Sequence, residues 1–97
     1  MERTVFERLL EQMREKVHKR QYVMTLHAEE EMVDDDLTVF DVESGVLTGQ
    51  VVERQRDRET GEWKYLIRAQ TLAETDIVVA AKLSITGKLV IITVYRD

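Results

Sequence analysis

The spacing of apolar positions changes along the chain, from helical at the start to alternating further on. Between residues 2 and 20, apolar side chains recur every three or four positions, which predicts an amphipathic helix. Thr4 and Glu7 fit a capping box at its start. The alternation over residues 22–26 then predicts a short strand. The chain therefore begins with a helix followed by a strand.

Two further helices are predicted before the strands of the second half of the chain. Good helix formers over residues 27–32 favour a short second helix, which the aspartates at positions 34–36 should end. Thr38 and Asp41 form a second capping-box pattern and open a third helix. Gly49 is expected to end that helix in the left-handed conformation that glycine adopts easily.

The second half of the chain has the pattern of four strands joined by short turns. Gly61 and Gly87 lie in polar turns that separate three of these segments. The last two segments are apolar on both faces, which places them in the centre of the sheet. The predicted strands span residues 51–58, 63–71, 77–85 and 89–96.

These elements predict an α+β domain. An N-terminal helix precedes a β-α-α-β-β-β-β order, and the mostly antiparallel sheet carries its helices on one face. A chain of 97 residues is long enough for a single core, so residues 1–97 are expected to form one domain.

Composition and charge narrow the class of protein. The chain is 43% hydrophobic and 34% charged, and its apolar runs are far shorter than the ~18 residues of a membrane-spanning helix. Charged residues throughout the first 20 positions are not those of a signal peptide. The absence of cysteine excludes disulfides and thiol catalysis. We therefore expect a soluble, cytoplasmic protein that does not contact a membrane.

The net charge of −5 is unevenly distributed, because residues 21–50 hold eight acids and neither lysine nor arginine. An acidic surface disfavours non-specific DNA binding, so DNA is not expected as a partner. The consecutive carboxylates at 29–31 and 34–36 lack the spacing and the glycine of a calcium loop. No metal or cofactor is expected there. A solvated face or a docking surface for a basic partner is the favoured interpretation.

Two sets of residues are candidates for chemistry. His27 lies at a strand–helix junction, where it could act as an acid or a base, or simply cap the helix. Basic residues alternate along the predicted strands and would form a basic strip for RNA if their side chains converged. The alternative is an exposed strand whose charges prevent edge-to-edge aggregation. The basic residues are Arg54, Arg56, Arg58, Lys64, Arg68 and Lys82, with Trp63, Tyr65 and Tyr95 as flanking aromatic side chains.

A family resemblance rests on motifs between about Tyr22 and Tyr95. The chain resembles the bacterial and archaeal family catalogued as domain of unknown function 4258, whose pattern is T-x-H-A-x-x-R-M-x-x-R-x-I-[ST]. This resemblance implies a fold like that of small toxins of the RelE, ParE and BrnT kind, with RNA cleavage or inhibition of a partner as candidate activities. The matching segments are Thr25-Leu26-His27-Ala28, Met32, Leu37-Thr38, the Gly49-x-Val51 step and the ending Ile91-Ile92-Thr93-Val94-Tyr95.

The sequence departs from the family pattern at two charged positions. Glu31 and Asp35 stand where the family has arginine. If those arginines hold RNA phosphates in the family, this protein does not hold them in the same way.

Three hypotheses about function follow. The first is a non-catalytic, toxin-like module that binds a protein partner or a second copy of itself, as one half of a toxin–antitoxin-type pair. The second is a metal-independent ribonuclease of the RelE type, with RNA bound through the basic strip. The third is a small-molecule sensor with a pocket between helix and sheet. The residues predicted to be catalytic in the ribonuclease are His27, Arg54, Arg56, Arg68 and Tyr95.

Overall fold

A computed structural model describes residues 5–97 and confirms the α+β architecture. The order of elements is helix, strand, two helices and four strands, as the sequence predicts. The elements are α1 (Val5–His18), β1 (Tyr22–Met24), α2 (Leu26–Asp34), α3 (Val39–Thr48), β2 (Gln50–Arg56), β3 (Trp63–Gln70), β4 (Asp76–Leu83) and β5 (Leu89–Arg96).

The five strands form one sheet in the order β1-β5-β4-β3-β2. The β1–β5 pair is parallel, and the other three pairs are antiparallel. The strands β4 and β5 lie inside the sheet, as their apolar pattern predicts. Apolar side chains of the helices pack on one face of the sheet. The fully buried members of this core include Met13, Val42, Val46, Ile67, Ile77, Val79, Leu89 and Val94.

The helix α2 extends along the outer edge of β5 beyond the end of the short strand β1. The backbone N–H of Thr25 donates to the carbonyl oxygen of Ile91 at 3.0 Å. Further along, the Asp35 carboxylate accepts a hydrogen bond from the Arg96 backbone N–H at 3.1 Å. Side-chain and backbone groups of the helix segment therefore occupy a strand edge that would otherwise be open to another chain.

The boundary between β1 and α2 differs from the predicted one. The strand ends at Met24 rather than at residue 26, and α2 begins at Leu26. The cause is Thr25, whose hydroxyl accepts a hydrogen bond from the Ala28 backbone N–H and so forms the N-cap. The aspartates at 34–36 end the helix as predicted, with Asp36 in the left-handed region at φ 56°. The predicted capping box at Thr4 lies outside the described residues.

The capping box of α3 is confirmed, but the predicted role of Gly49 is wrong. Thr38 and Asp41 each satisfy a backbone N–H of the other. Gly49 has φ −81°, which is not left-handed. Glycine is needed there because a Cβ atom would lie 2.6 Å from the Gly45 carbonyl oxygen and 2.7 Å from that of Arg68. The requirement is close packing of α3 against β3, and not a backbone angle.

The turns between strands follow the prediction. Gly61 and Gly87 have φ values of +73° and +87°, which favour glycine. The strand β2 is shorter than expected and ends at Arg56, so Arg58 lies in the turn and not on the strand face with Arg54. No helix within residues 5–97 is long and apolar enough to cross a membrane.

Candidate functional site

The candidate residues on the strands lie on two opposite faces of the sheet. Residues paired across neighbouring strands point to the same side, and successive residues alternate. Ile67, Val79 and Val94 form one such row, and all three are buried in the core under the helices. Their neighbours Arg68 and Tyr95 belong to the next row and therefore point to the opposite side. We call the two sides the covered face and the open face.

Arg54 and Arg56 lie on the covered face, at the end of the β2–β3 hairpin. They pair with Tyr65 and Trp63, respectively. The guanidinium carbons of Arg54 and Arg56 lie 4.3 and 5.5 Å from the centre of the Trp63 ring, within the range of a cation–π interaction. Both arginines are exposed because the core stops short of the hairpin end. We call Arg54, Arg56 and Trp63 the hairpin basic cluster.

The hairpin end is held by a polar turn. The Asp57 carboxylate accepts hydrogen bonds from the backbone N–H groups of Glu59 and Thr60 at 2.8 and 3.3 Å. These two hydrogen bonds hold the pKa of Asp57 below its usual value. The Arg56 side chain donates to the Gly61 carbonyl oxygen at 3.2 Å. This turn therefore fixes where the hairpin basic cluster lies.

Apart from Arg58 in the turn, the other predicted members of the basic strip lie on the open face, where carboxylates neutralise two of them. Arg68 forms a salt bridge with Asp97 at 2.9 Å, and Lys82 forms one with Glu62 at 2.7 Å. Lys64 lies beside Tyr65 on β3 and so points away from the covered face. These side chains do not converge into one basic strip, because alternation within β3 puts Arg68 on the opposite side from Tyr65, the strand partner of Arg54.

His27 takes part in a polar group at the junction of α2 and β5. Its Nε2 atom contacts the Glu31 carboxylate, which lies one helical turn later. The Thr93 hydroxyl donates to the same carboxylate oxygen at 3.3 Å. The imidazole is 65% exposed, whereas the Glu31 side chain is 24% exposed. Glu31 therefore holds the imidazole in place.

The roles of Glu31 and Thr93 are not predicted by the sequence pattern. The spacing of four residues between His27 and Glu31 on a helix is a signal that could have identified the first pair. Thr93 is 62 residues away from Glu31 and has no such signal.

Tyr95 and Arg68 occupy one row of the open face, with Val78 of β4 between them. Two strand spacings separate them, which is about 10 Å. The structure thus places Arg68 and Tyr95 on the open face and Arg54 and Arg56 on the covered face, whereas His27 lies on α2. The five do not surround a single phosphate. An exposed imidazole beside a carboxylate can accept a proton, which is the chemistry that this group offers.

The outer side of α2 carries apolar side chains among carboxylates. Leu26 and Val33, seven residues apart, lie on the same side of the helix and are 71% and 79% exposed. Glu29 and Glu30 lie between them on that side. Helical spacing in the sequence could have identified this arrangement. We call Leu26, Glu29, Glu30 and Val33 the acidic docking face.

A groove of about 380 Å³ separates α1 from β2. Phe6, Leu10 and Val51 supply its apolar lining. The Arg14 side chain lies in the same groove and donates hydrogen bonds to the carbonyl oxygens of Val46 and Gly49 at 3.0 and 2.8 Å. The guanidinium therefore satisfies free carbonyl groups at the end of α3.

The acidic segment does not assemble a metal-binding group in the part of the chain that the structure describes. The aspartates 34–36 are instead used to end α2 and to hold the edge of β5.

Comparison with known proteins identifies the family and nothing finer. Searches of curated proteins and of solved structures find no protein similar to this chain. The expected likeness to RelE, ParE and BrnT toxins stays a prediction. Because the family described as Domain of unknown function (DUF4258) matches residues 24–96 of the 97-residue chain, this protein belongs to that family.

Proposed function

We propose that this chain is a non-catalytic protein-binding module whose acidic docking face receives a basic partner. The single observation that carries the proposal is the exposure of Leu26 and Val33 on a helix that already buries Ala28 and Met32 on its other side. A surface helix ordinarily presents polar residues to water, whereas α2 exposes an apolar residue at each end of its outer side.

Charge identifies the kind of partner. Glu29 and Glu30 lie between the two apolar residues, and residues 21–50 carry eight acids without lysine or arginine. A complementary surface therefore has an apolar centre with lysine or arginine around it, such as an amphipathic basic helix. The same proposal takes this protein to be cytoplasmic and its basic partner to be antitoxin-like.

The proposal is tested by comparing variants of exposed residues, since these residues contribute little to stability. Pull-downs from native lysate would use the wild-type chain, Leu26→Ala/Val33→Ala and Glu29→Lys/Glu30→Lys. Ile85→Ala is the control, because Ile85 is fully exposed at 101% in a turn outside α2. We expect the wild-type chain and Ile85→Ala to capture a basic protein. Neither α2 variant should capture it. Capture of the same proteins by all four chains would refute the proposal, as would capture of none.

A second copy of the chain is the other partner that could bind through the exposed residues Leu26 and Val33. Light scattering after size-exclusion chromatography distinguishes it, because a dimer that uses this face dissociates in the Leu26→Ala/Val33→Ala variant.

A second candidate function is metal-independent RNA cleavage, which the His27–Glu31 contact favours. His27 supplies an exposed imidazole held by the Glu31 carboxylate, and Tyr95 and Arg68 share the open face. The placement of Arg54 and Arg56 on the other face speaks against a site made of all five residues. RNA degradation by the wild-type chain that is lost in His27→Ala would support this function. Equal degradation by both chains, or none by either, would exclude it.

A further inference from the structure

We infer that the outer edge of β2 binds an extended acidic segment of a partner protein as an added strand. This site lies apart from the acidic docking face and goes beyond the function proposed above. It rests on the free edge of the sheet, the hairpin basic cluster and the groove beside α1.

The two edges of the sheet are treated differently. Thr25 and Asp35 engage the edge of β5, as described above. By contrast, β2 closes the strand order and pairs only with β3 among the described strands. It is seven residues long and exposed along most of its length. Its outer N–H and C=O groups are therefore available to an incoming strand.

The positive charges on β2 favour an acidic incoming segment. Arg54 and Arg56 point to the covered face, and the Trp63 ring holds both guanidinium groups close to the strand. Neither guanidinium forms a salt bridge within residues 5–97. Directly opposite residues of neighbouring strands share a face, so an added strand would place alternate side chains beside these arginines. Carboxylates are the complementary groups.

The groove between α1 and β2 adds one apolar position to the segment that would bind. Val51 is the next β2 residue after Arg54 on the covered face, because the irregularity between Val51 and Glu53 takes up one residue. Beside Val51 the groove lined by Phe6 and Leu10 has room for one apolar side chain. The geometry therefore points to a segment of the form acid-x-acid-x-apolar, in either chain direction.

Synthetic peptides test the inference on the folded chain. We would titrate peptides with the cores Glu-Thr-Glu-Thr-Leu and Leu-Thr-Glu-Thr-Glu, and use Lys-Thr-Lys-Thr-Leu as the charge control. One acidic peptide should bind, and the lysine peptide should not. Two further versions of the binding peptide carry N-methyl groups on alternate backbone nitrogens. N-methylation of the set that faces β2 should abolish binding, and N-methylation of the other set should not.

Variants of the chain complete the experiment. Arg54→Gln should weaken binding about tenfold through loss of a charge-assisted hydrogen bond. The matched control is Lys64→Gln, which removes one positive charge from the opposite face of the same hairpin and should leave binding unchanged. Circular dichroism confirms that each variant is folded.

Several results would overturn the inference. These are equal binding of the lysine peptide, insensitivity to both N-methylated sets, wild-type affinity in Arg54→Gln, or no binding of any peptide. The last result would mean that the charges on β2 only prevent aggregation. The Leu26→Ala/Val33→Ala variant should bind the peptide normally, so failure of this site and failure of the acidic docking face are distinguishable.

Discussion

The Thr25 hydroxyl joins the start of α2 to β5 by donating to the carbonyl oxygen of Ile92 at 2.7 Å. The Thr25 hydroxyl oxygen also accepts a hydrogen bond from the Ala28 backbone N–H at 3.1 Å. Ala28 itself is fully buried in the core. The Thr-x-His-Ala motif thus has a structural basis for two of its three specified positions. Threonine links helix and strand, and alanine permits close packing.

Replacing Thr25 tests this linkage. Thr25→Val keeps the size of the side chain but removes both hydrogen bonds, and we expect the free energy of unfolding to fall by about 2 kcal/mol. Thr25→Ser retains the hydroxyl and should stay much closer to the wild type. Urea unfolding measures both. A Thr25→Val variant as stable as the wild-type chain would show that the linkage contributes nothing.

The packing requirement at Gly49 predicts a contrast between two glycines. A Cβ atom at Gly49 would lie 2.8 Å or less from three atoms, two of them backbone oxygens that cannot move aside easily. Gly49→Ala should therefore lower the free energy of unfolding by about 1–3 kcal/mol.

At Gly45, inside α3, the nearest atom to a Cβ is the Ile77 Cδ1 atom at 3.3 Å, at the end of a flexible side chain. Gly45→Ala should therefore be far better tolerated, since alanine also favours the helix by about 0.5–1 kcal/mol. Thermal unfolding of both variants provides the measurement. Equal losses of stability would contradict this account of Gly49.

The Tyr22 phenol predicts a loss of stability in alkaline solution. Burial, followed by the hydrogen bond that Tyr22 donates to Glu43 at 2.5 Å, raises the pKa of Tyr22 from 10.0 to about 12. The folded chain therefore retains this proton where the unfolded chain has lost it. The contribution of Tyr22 to the free energy of unfolding is complete below pH 10 and falls as the pH rises toward 12.

Tyr22→Phe removes the proton and should flatten that part of the pH profile. Below pH 10 the variant should be less stable than the wild type by about 1 kcal/mol, the typical contribution of one hydrogen bond. The difference should shrink between pH 10 and 12. Urea unfolding at a series of pH values, with tyrosinate absorbance followed in parallel, measures both effects. A difference that does not vary with pH would contradict the assignment.

Arg14 should be more sensitive to substitution than a partly exposed arginine usually is. Arg14→Lys keeps the charge but cannot present two donors in a fixed fork to Val46 and Gly49. We expect a loss of about 1–2 kcal/mol for Arg14→Lys and a similar or larger loss for Arg14→Met. Arg8→Lys on the same helix is the control, since Arg8 is exposed. Equal stability of all variants in urea would exclude a capping role.

The features that were predictable are those with short-range causes. The capping box of Thr38 and Asp41 and the glycine turns at Gly61 and Gly87 depend on neighbouring residues, and all are confirmed. The central position of β4 and β5 follows from their apolar pattern. The start of α2 was missed by one residue because Thr25 fits both an alternating strand and an N-cap.

The candidate site was less predictable because its residues come from distant parts of the chain. Alternation showed that Arg54 and Arg56 share a face, but not that this face is opposite to that of Arg68. The missing information was the register of β2 against β3, in which Arg54 lies opposite Tyr65. A shift of one residue would have exchanged the two faces.

Local patterning alone therefore specified the kind, order and approximate ends of the helices and strands, because hydrogen bonding and side-chain periodicity act over a few residues. Which surfaces those elements present to a partner depended on long-range packing. The contact between Glu31 and Thr93 and the close approach of Gly49 to Arg68 join residues far apart in the chain. Such contacts exist only once strand register and the position of each helix on the sheet have been set.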